Sequence, residues 1–198
     1  KRITPASIVD DTPVTIRLPD NKIWSPKNSD GKFRGPIRIR EALGASRNVV
    51  AVKLIEDLGH EAVGGFAKRM GVKTALVKGP TMALGSSSLK LLEMVNAYAT
   101  IAAQGEYGEP RFITKIESMN GEVETFPSSA QPVLAPEVAY LITDVMQAVT
   151  GGYTDSQGTR RQGTGAIVKK LGHPVAGKTG TSNAERDAWF IGFSPYYV

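Results

Sequence analysis

The stretch "AGKTGTSNAERDAWFIGF", residues 176 to 193, constrains this chain more than any other. Together with Gly172, the residues Gly177, Lys178 and Thr179 spell G-x-x-x-x-G-K-[ST], the pattern of a phosphate-binding loop. Such a loop needs a buried strand before its first glycine and a helix directly after Lys-Thr, because backbone N–H groups and a helix N-terminus hold the anion. Here the short, charged "AIVKKL" precedes Gly172, and Thr179 is followed by Gly180, a polar turn and the strand-like "AWFIGF". Too few residues remain for a parallel sheet and an acidic magnesium-binding strand. The pattern predicts strand–turn–strand.

On a strand, Thr179 and Thr181 share one face, and Gly180 between them lets another backbone approach closely. Two hydroxyls beside the Lys178 ammonium would suit a terminal carboxylate. An ordinary edge strand, with threonines chosen for β propensity, fits the tripeptide equally well.

The rest of the chain reads as one domain or a large piece of one. Its 198 residues are 41% hydrophobic and 22% charged, a globular balance. Without cysteine there is no disulfide framework and no thiolate metal site. The net charge of +5 is scattered, with no basic stripe or aromatic platform of the kind nucleic acid requires. No apolar run approaches the ~20 residues of a membrane span. The chain opens on Lys1 and closes on Tyr196-Tyr197-Val198, which reads as a piece cut from a longer protein.

Residues 1–37 are rich in Pro, Asp and Asn and predict extended segments and turns. Two helical stretches follow, separated by Gly44-Ala45; the second carries Val50, Leu54 and Leu58 on one face and stops at Gly59. A helix from Glu61 to Met70 points Val63, Phe66 and Met70 inward and ends at Gly71. Ser88 can cap a helix from Leu89 to Gln104 with Leu92, Val95 and Ala99 inward and Gly105 as its stop. "RFITKIESMNGEVETF" predicts a hairpin turning at Asn120-Gly121. Pro136 opens a helix with Val138, Leu141, Val145 and Val149 inward. A glycine-rich loop from Gly151 to Gly165 and a short helix lead to the final hairpin. Helices in the middle and strands at the end imply α+β.

"VAGKTGTSNAERDAWFIGFSP" resembles the class A penicillin-binding proteins of the 1A type, whose K-T-G-T strand turns into a D-A-W-F-x-G-[YF]-x-P strand. "TPASIVDDTP", "WSPKN", "GPIRIREALGASRNVVAVKLIEDLG", "ALGSSSLKLLEMVNAYATIAAQG" and "QGTGA" resemble that family's blocks in the same order. The resemblance covers nearly the whole chain apart from the hairpin region, and makes it a transpeptidase-domain fragment, 1–198. It implies a β-lactamase/transpeptidase-like fold, with a helical region packed on an antiparallel sheet. The family's S-x-N falls on Ser46-Arg47-Asn48; Ser46 alone would read as a helix cap. Ser118-Met119-Asn120 also fits S-x-N but leads into the hairpin turn.

The family's S-x-x-K, a serine nucleophile with its lysine one turn on, fits Ser29–Lys32 and Ser87–Lys90. The first lies among glycine and proline, poor material for a helix, and the second suits a capping region. Both follow the "TPAS" block or S-x-N in the wrong order for the family. The expectation is therefore a nucleophile upstream of Lys1.

The resemblance implies a peptidoglycan D,D-transpeptidase that cross-links stem peptides ending in D-Ala-D-Ala and is acylated by β-lactams. Ser46 would relay a proton, Asn48 would bind the donor amide, and Lys178 would keep the site electropositive. Thr179, Gly180 and Thr181 would bind the substrate's carboxylate end, with the Thr181 N–H in the oxyanion hole. No metal and no organic cofactor is implied. Relatives carry an N-terminal membrane anchor and a glycosyltransferase domain, placing the enzyme on the periplasmic face of the inner membrane. A serine β-lactamase-like hydrolase shares the motifs, and a non-catalytic module binding wall peptide or a partner is the reading from another class.

Overall fold

A computed structural model describes residues 3–18, 21–182 and 187–198. Strands β1 (Ile8–Asp11), β2 (Ile16–Arg17), β3 (Ile23–Trp24) and β4 (Gly35–Arg38) precede helices α1 (Ile39–Gly44), α2 (Asn48–Leu58) and α3 (His60–Arg69). A 3₁₀ turn over Pro80–Leu84 leads to α4 (Leu91–Ala102), then β5 (Glu106–Tyr107), β6 (Lys115–Glu117), β7 (Val123–Thr125) and β8 (Gln131–Pro132). Helix α5 (Pro136–Gly151), β9 (Tyr153–Thr154), β10 (Arg160–Arg161) and a 3₁₀ turn over Ala166–Leu171 lead to β11 (Ala176–Thr181) and β12 (Ala188–Phe193). Every strand pairing among the described residues is antiparallel: β1 with β4, β2 with β3, β5 with β8, β6 with β7, β9 with β10 and β11 with β12. The architecture is α+β, with helices against an antiparallel sheet, as the sequence implies.

Helix α5 organises the rest. One side packs on β11 and another on α1, with α4 alongside. Met146 of α5 joins Ala176 of β11 and Phe193 of β12 in one buried cluster, flanked by Leu43, Tyr98, Ile101 and Ile142. Ile37, Ala42 and Val50 form a second cluster with Val9 and Leu54, tying β1 and β4 to α1 and α2. The close approach of α1 to the chain after α5 needs Gly44, since a Cβ there would lie 2.5 Å from the Tyr153 ring.

The helix stops at Gly59 and Gly71 fall where glycine predicts them, both at positive φ. Helix α4, by contrast, ends at Ala102, and Gln104, not Gly105, takes the left-handed position of its ending, at φ 58. Pro136 occupies the first turn of α5. The predicted hairpin forms between β6 and β7, and Gly121 takes the left-handed position of its turn, closed by a bond from its N–H to the Ser118 carbonyl.

Several inward faces differ from the periodicity. Helix α4 begins at Leu91, Lys90 stands at its N-cap without a side-chain bond, and Ser88 caps nothing. Its buried face is Glu93, Ala97 and Thr100, while Leu92 is exposed. An acid faces inward because Thr74 donates to it twice, from its backbone N–H and its hydroxyl, each at 3.1 Å. Burial raises the Glu93 pKa, but these Thr74 bonds outweigh it and leave the carboxyl below its ordinary value. Leu58, Val138 and Leu141 are exposed; α5 turns the expected Val145 and Val149 inward, together with Ala139 and Met146 in place of Val138 and Leu141. An apolar residue occurs on every side of these helices, so the neighbouring element, not the period, selects the face.

Candidate active site

Helix α1 ends in two nested bonds: the Ser46 N–H donates to the Leu43 carbonyl at 3.0 Å, and the Arg47 N–H to the Ala42 carbonyl at 2.9 Å. This is a Schellman ending, whose left-handed position glycine normally fills. Here Ser46 holds it, at φ 52. A serine in that conformation costs roughly 1–2 kcal/mol of backbone strain.

The next residue fixes the loop. The Arg47 guanidinium is buried, and its Nε donates to Asp11 Oδ2 at 2.9 Å, its Nη1 to Asp30 Oδ2 at 2.8 Å and its Nη2 to the Lys32 carbonyl. Asp11 also accepts from Asn28 Nδ2 at 2.8 Å, and Asn28 Oδ1 accepts from the Val49 N–H at 3.2 Å. The hydrogen bond from Arg47 holds the Asp30 carboxyl below its ordinary pKa. Asn48 opens α2 and donates from Nδ2 to the Lys27 carbonyl at 3.0 Å. The "TPASIVDD" and "WSPKN" segments thus meet the serine loop in one polar knot. Sequence reading assigned no role to Arg47, although its place between Ser46 and Asn48 is the available signal.

Strand β11 forms the opposite wall. Ala176 pairs with Phe193 and Thr181 with Ala188, and no helix starts at Lys178, which excludes the phosphate-loop geometry. The Ser182 N–H donates to the Asp187 carbonyl at 3.0 Å. Antiparallel bonding alternates along the strand, so the N–H and C=O of Thr181 and Thr179 point away from β12, to the outer edge. The turn over residues 183–186 lies outside the described residues.

Lys178 and Thr179 leave the strand on opposite faces. The lysine bends round to the outer edge, where its Nζ donates to the Thr179 carbonyl at 3.0 Å and to Ser46 Oγ at 2.7 Å. The fold thereby joins residues 132 positions apart. Burial without a carboxylate partner among the described residues pushes this ammonium below the ordinary lysine range.

Glycines separate fold from site. Gly177 is demanded by the Phe190 ring, 2.4 Å from an added Cβ, and Gly192 by the Ala176 carbonyl oxygen at 2.6 Å with the Phe190 ring at 2.7 Å. At Gly180 a Cβ would meet nothing nearer than 3.9 Å, so its own fold does not require the glycine. The loop before β11 adds a residue the sequence reading left unassigned. Thr164 Oγ1 lies 2.8 Å from Thr179 Oγ1. "QGTGA" was the visible signal.

Neither S-x-x-K pattern is helical. Ser29–Lys32 occupies a turn containing Gly31 at φ 66, and Ser87–Lys90 precedes α4, with Ser87 Oγ accepting from the Val77 N–H. Neither pair can stack serine and lysine on one helical face. A cavity of about 590 Å³ lies elsewhere, lined by residues of β1, β2 and α2.

The family model of the penicillin binding protein transpeptidase domain matches residues 1–197. This chain belongs to that family. Penicillin-binding protein 1A of Rickettsia conorii is 35% identical across 99% of this chain, and that of Neisseria meningitidis is 32% identical across all of it. The chain spans only 27% and 25% of those relatives' lengths. Among solved structures, penicillin-binding protein 1A of Haemophilus influenzae superposes with a TM-score of 0.87 at 29% identity, covering 96% of this chain and 33% of that one. The penicillin-binding protein PonA1 of Mycobacterium tuberculosis superposes at 0.77 with 27% identity, covering 98% and 53%, and has also been solved with penicillin V. In this penicillin-binding domain, the S-x-N loop and the K-T-G strand are the two walls joined by Lys178.

Proposed function

We propose that this transpeptidase-domain chain supplies two walls of a serine acyl-transfer site that cross-links peptidoglycan. The observation that carries the reading is the 2.7 Å bond from Lys178 Nζ to Ser46 Oγ. A half-buried ammonium without a carboxylate is an attractive position for an anion, and the adjoining strand edge presents peptide groups able to pair with an extended substrate. The terminal carboxylate of a D-Ala-D-Ala stem, or that of a β-lactam, would lie against Thr179 and Thr181. Gly180 leaves room for its backbone.

The nucleophilic serine and its lysine come from a segment outside these 198 residues, since both S-x-x-K patterns within them are non-helical. That serine attacks the penultimate D-Ala carbonyl, the outward Thr181 N–H stabilises the oxyanion, and Ser46, oriented by Lys178, relays a proton to the departing D-Ala amine. The nitrogen of a second stem then takes the acyl group and releases the serine. Asn48 hydrogen-bonds the donor amide. The setting is the periplasmic face of the inner membrane, with the anchor elsewhere in the full-length protein.

The test is Lys178→Ala in the full-length enzyme. Acylation by a fluorescent penicillin should slow by roughly 10²-fold or more. Thermal stability should hold or rise, because burying an ammonium without a counter-charge costs free energy. Equal acylation rates in mutant and parent would remove Lys178 from the mechanism.

A further inference from the structure

The loop Gly163–Gly165 bridges the two walls of the site. A Cβ on Gly163 would lie 2.2 Å from the Val149 carbonyl oxygen, so this backbone sits directly on the end of α5. The Gly165 N–H donates to that same carbonyl at 2.9 Å. Between them, the Thr164 N–H donates to the Gly44 carbonyl at 3.2 Å, two residues before Ser46. Its side chain reaches the other wall, 2.8 Å from the Thr179 hydroxyl. Thr164 itself is exposed while both flanking glycines are buried, so the loop is anchored by backbone and offers one hydroxyl outward.

A threonine hydroxyl has one proton to give and two lone pairs to receive. A carboxylate only receives. If Thr179 binds the substrate carboxylate, its single proton is committed there, and the Thr164–Thr179 bond must then run from Thr164 as donor. We infer that Thr164 is a positioning residue, donating its proton to Thr179 so that the Thr179 hydroxyl faces the substrate's carboxylate already oriented. Donation into Thr179 also polarises its O–H and strengthens the outgoing bond. This deepens the proposed function and rests on its assignment of Thr179 to the carboxylate.

The test compares benzylpenicillin with its methyl ester, which lacks the anionic acceptor, on the full-length enzyme. Thr164→Val keeps the shape and removes the donor; Thr164→Ser keeps the donor. The valine variant should lose up to about tenfold in the second-order acylation rate with benzylpenicillin, the upper end of what one neutral hydrogen bond is worth, and little with the ester. The serine variant should recover most of the loss, and the melting temperatures of all three proteins should agree. Equal losses on both probes, no loss on either, or a serine variant as slow as valine would overturn the role of Thr164. Thr179→Val separates this from failure of the underlying reading. If that variant discriminates acid from ester and Thr164→Val does not, only the Thr164 inference falls; if Thr179→Val does not discriminate, the carboxylate assignment falls with it.

Discussion

Replacing Arg47 by methionine tests what holds Ser46 in place. The Arg47 side chain is 2% exposed and Asp11 is 0% exposed, so their 2.9 Å bond lies entirely away from water. Methionine fills the volume but removes three directed bonds, to Asp11, Asp30 and the Lys32 carbonyl. Asp11 keeps the Asn28 amide at 2.8 Å and the Arg34 N–H at 3.2 Å, which leave its charge uncompensated. Breaking one side of such a buried pair costs about 3–5 kcal/mol. That is a large share of the 5–15 kcal/mol by which a typical domain is stable.

The assay is urea unfolding of Arg47→Met, Asp11→Asn and the double mutant, with penicillin acylation alongside. The double mutant should be more stable than the sum of the single losses predicts, because the second substitution neutralises the charge stranded by the first. Acylation of Arg47→Met should fall even where it remains folded, as the Ser46 loop loses its anchor. Arg47→Lys should rescue little, since an ammonium cannot reproduce a fork of three directed donors. The sign of the pH dependence follows from Asp30. Its folded pKa is depressed by Arg47, so the pair's stabilisation is present above the ordinary value of 3.8 and is lost as pH falls through the lower folded value. Arg47→Met should lose that acid dependence. A cost below about 1 kcal/mol with additive single mutants would refute the reasoning.

Three further outcomes follow from the site. Burial lowers the Lys178 pKa, so acylation should decline on the alkaline side beginning below the ordinary lysine value of 10.5, and NMR of lysines labelled with carbon-13 at Cε should find one lysine titrating early; a normal titration for Lys178 would contradict this. Ser46→Gly should relieve the left-handed strain and be neutral to about 1 kcal/mol more stable in thermal unfolding, while acylation slows; a clear loss of stability would mean the hydroxyl holds the loop. The 198-residue chain alone should gain no penicilloyl mass by intact-mass spectrometry, and an adduct on Ser29 or Ser87 would place the nucleophile inside it.

How far the sequence could be read depended on the range of the interaction. Gly59, Gly71, Gly121 and Pro136 act through their own backbone angles, and each did its predicted work, while at the end of α4 Gln104 took the left-handed position expected of Gly105. The "AGKTGTSNAERDAWFIGF" pattern likewise settled for a hairpin, because a glycine after Lys-Thr and an alternating strand deny the helix that a phosphate loop needs. Inward faces went astray on α4 and α5, where apolar residues surround the helix. There Thr74 decides that Glu93 faces inward, and on α5 the small Ala139 is buried while Val138 and Leu141 stay exposed.

Lys178 and Ser46 were legible only as members of separate motifs; their 2.7 Å contact spans 132 residues and exists because α5 packs against α1 on one side and β11 on the other. Arg47 and Thr164 lie inside visible motifs, S-x-N and "QGTGA", but neither motif says what their side chains bind. Their partners come from segments 36 and 15 residues away, and a side chain's hydrogen-bond directions have no meaning until folding brings those partners within 3 Å. Short-range stereochemistry therefore wrote the hairpin and the helix ends, and burial chose which side chains share a wall.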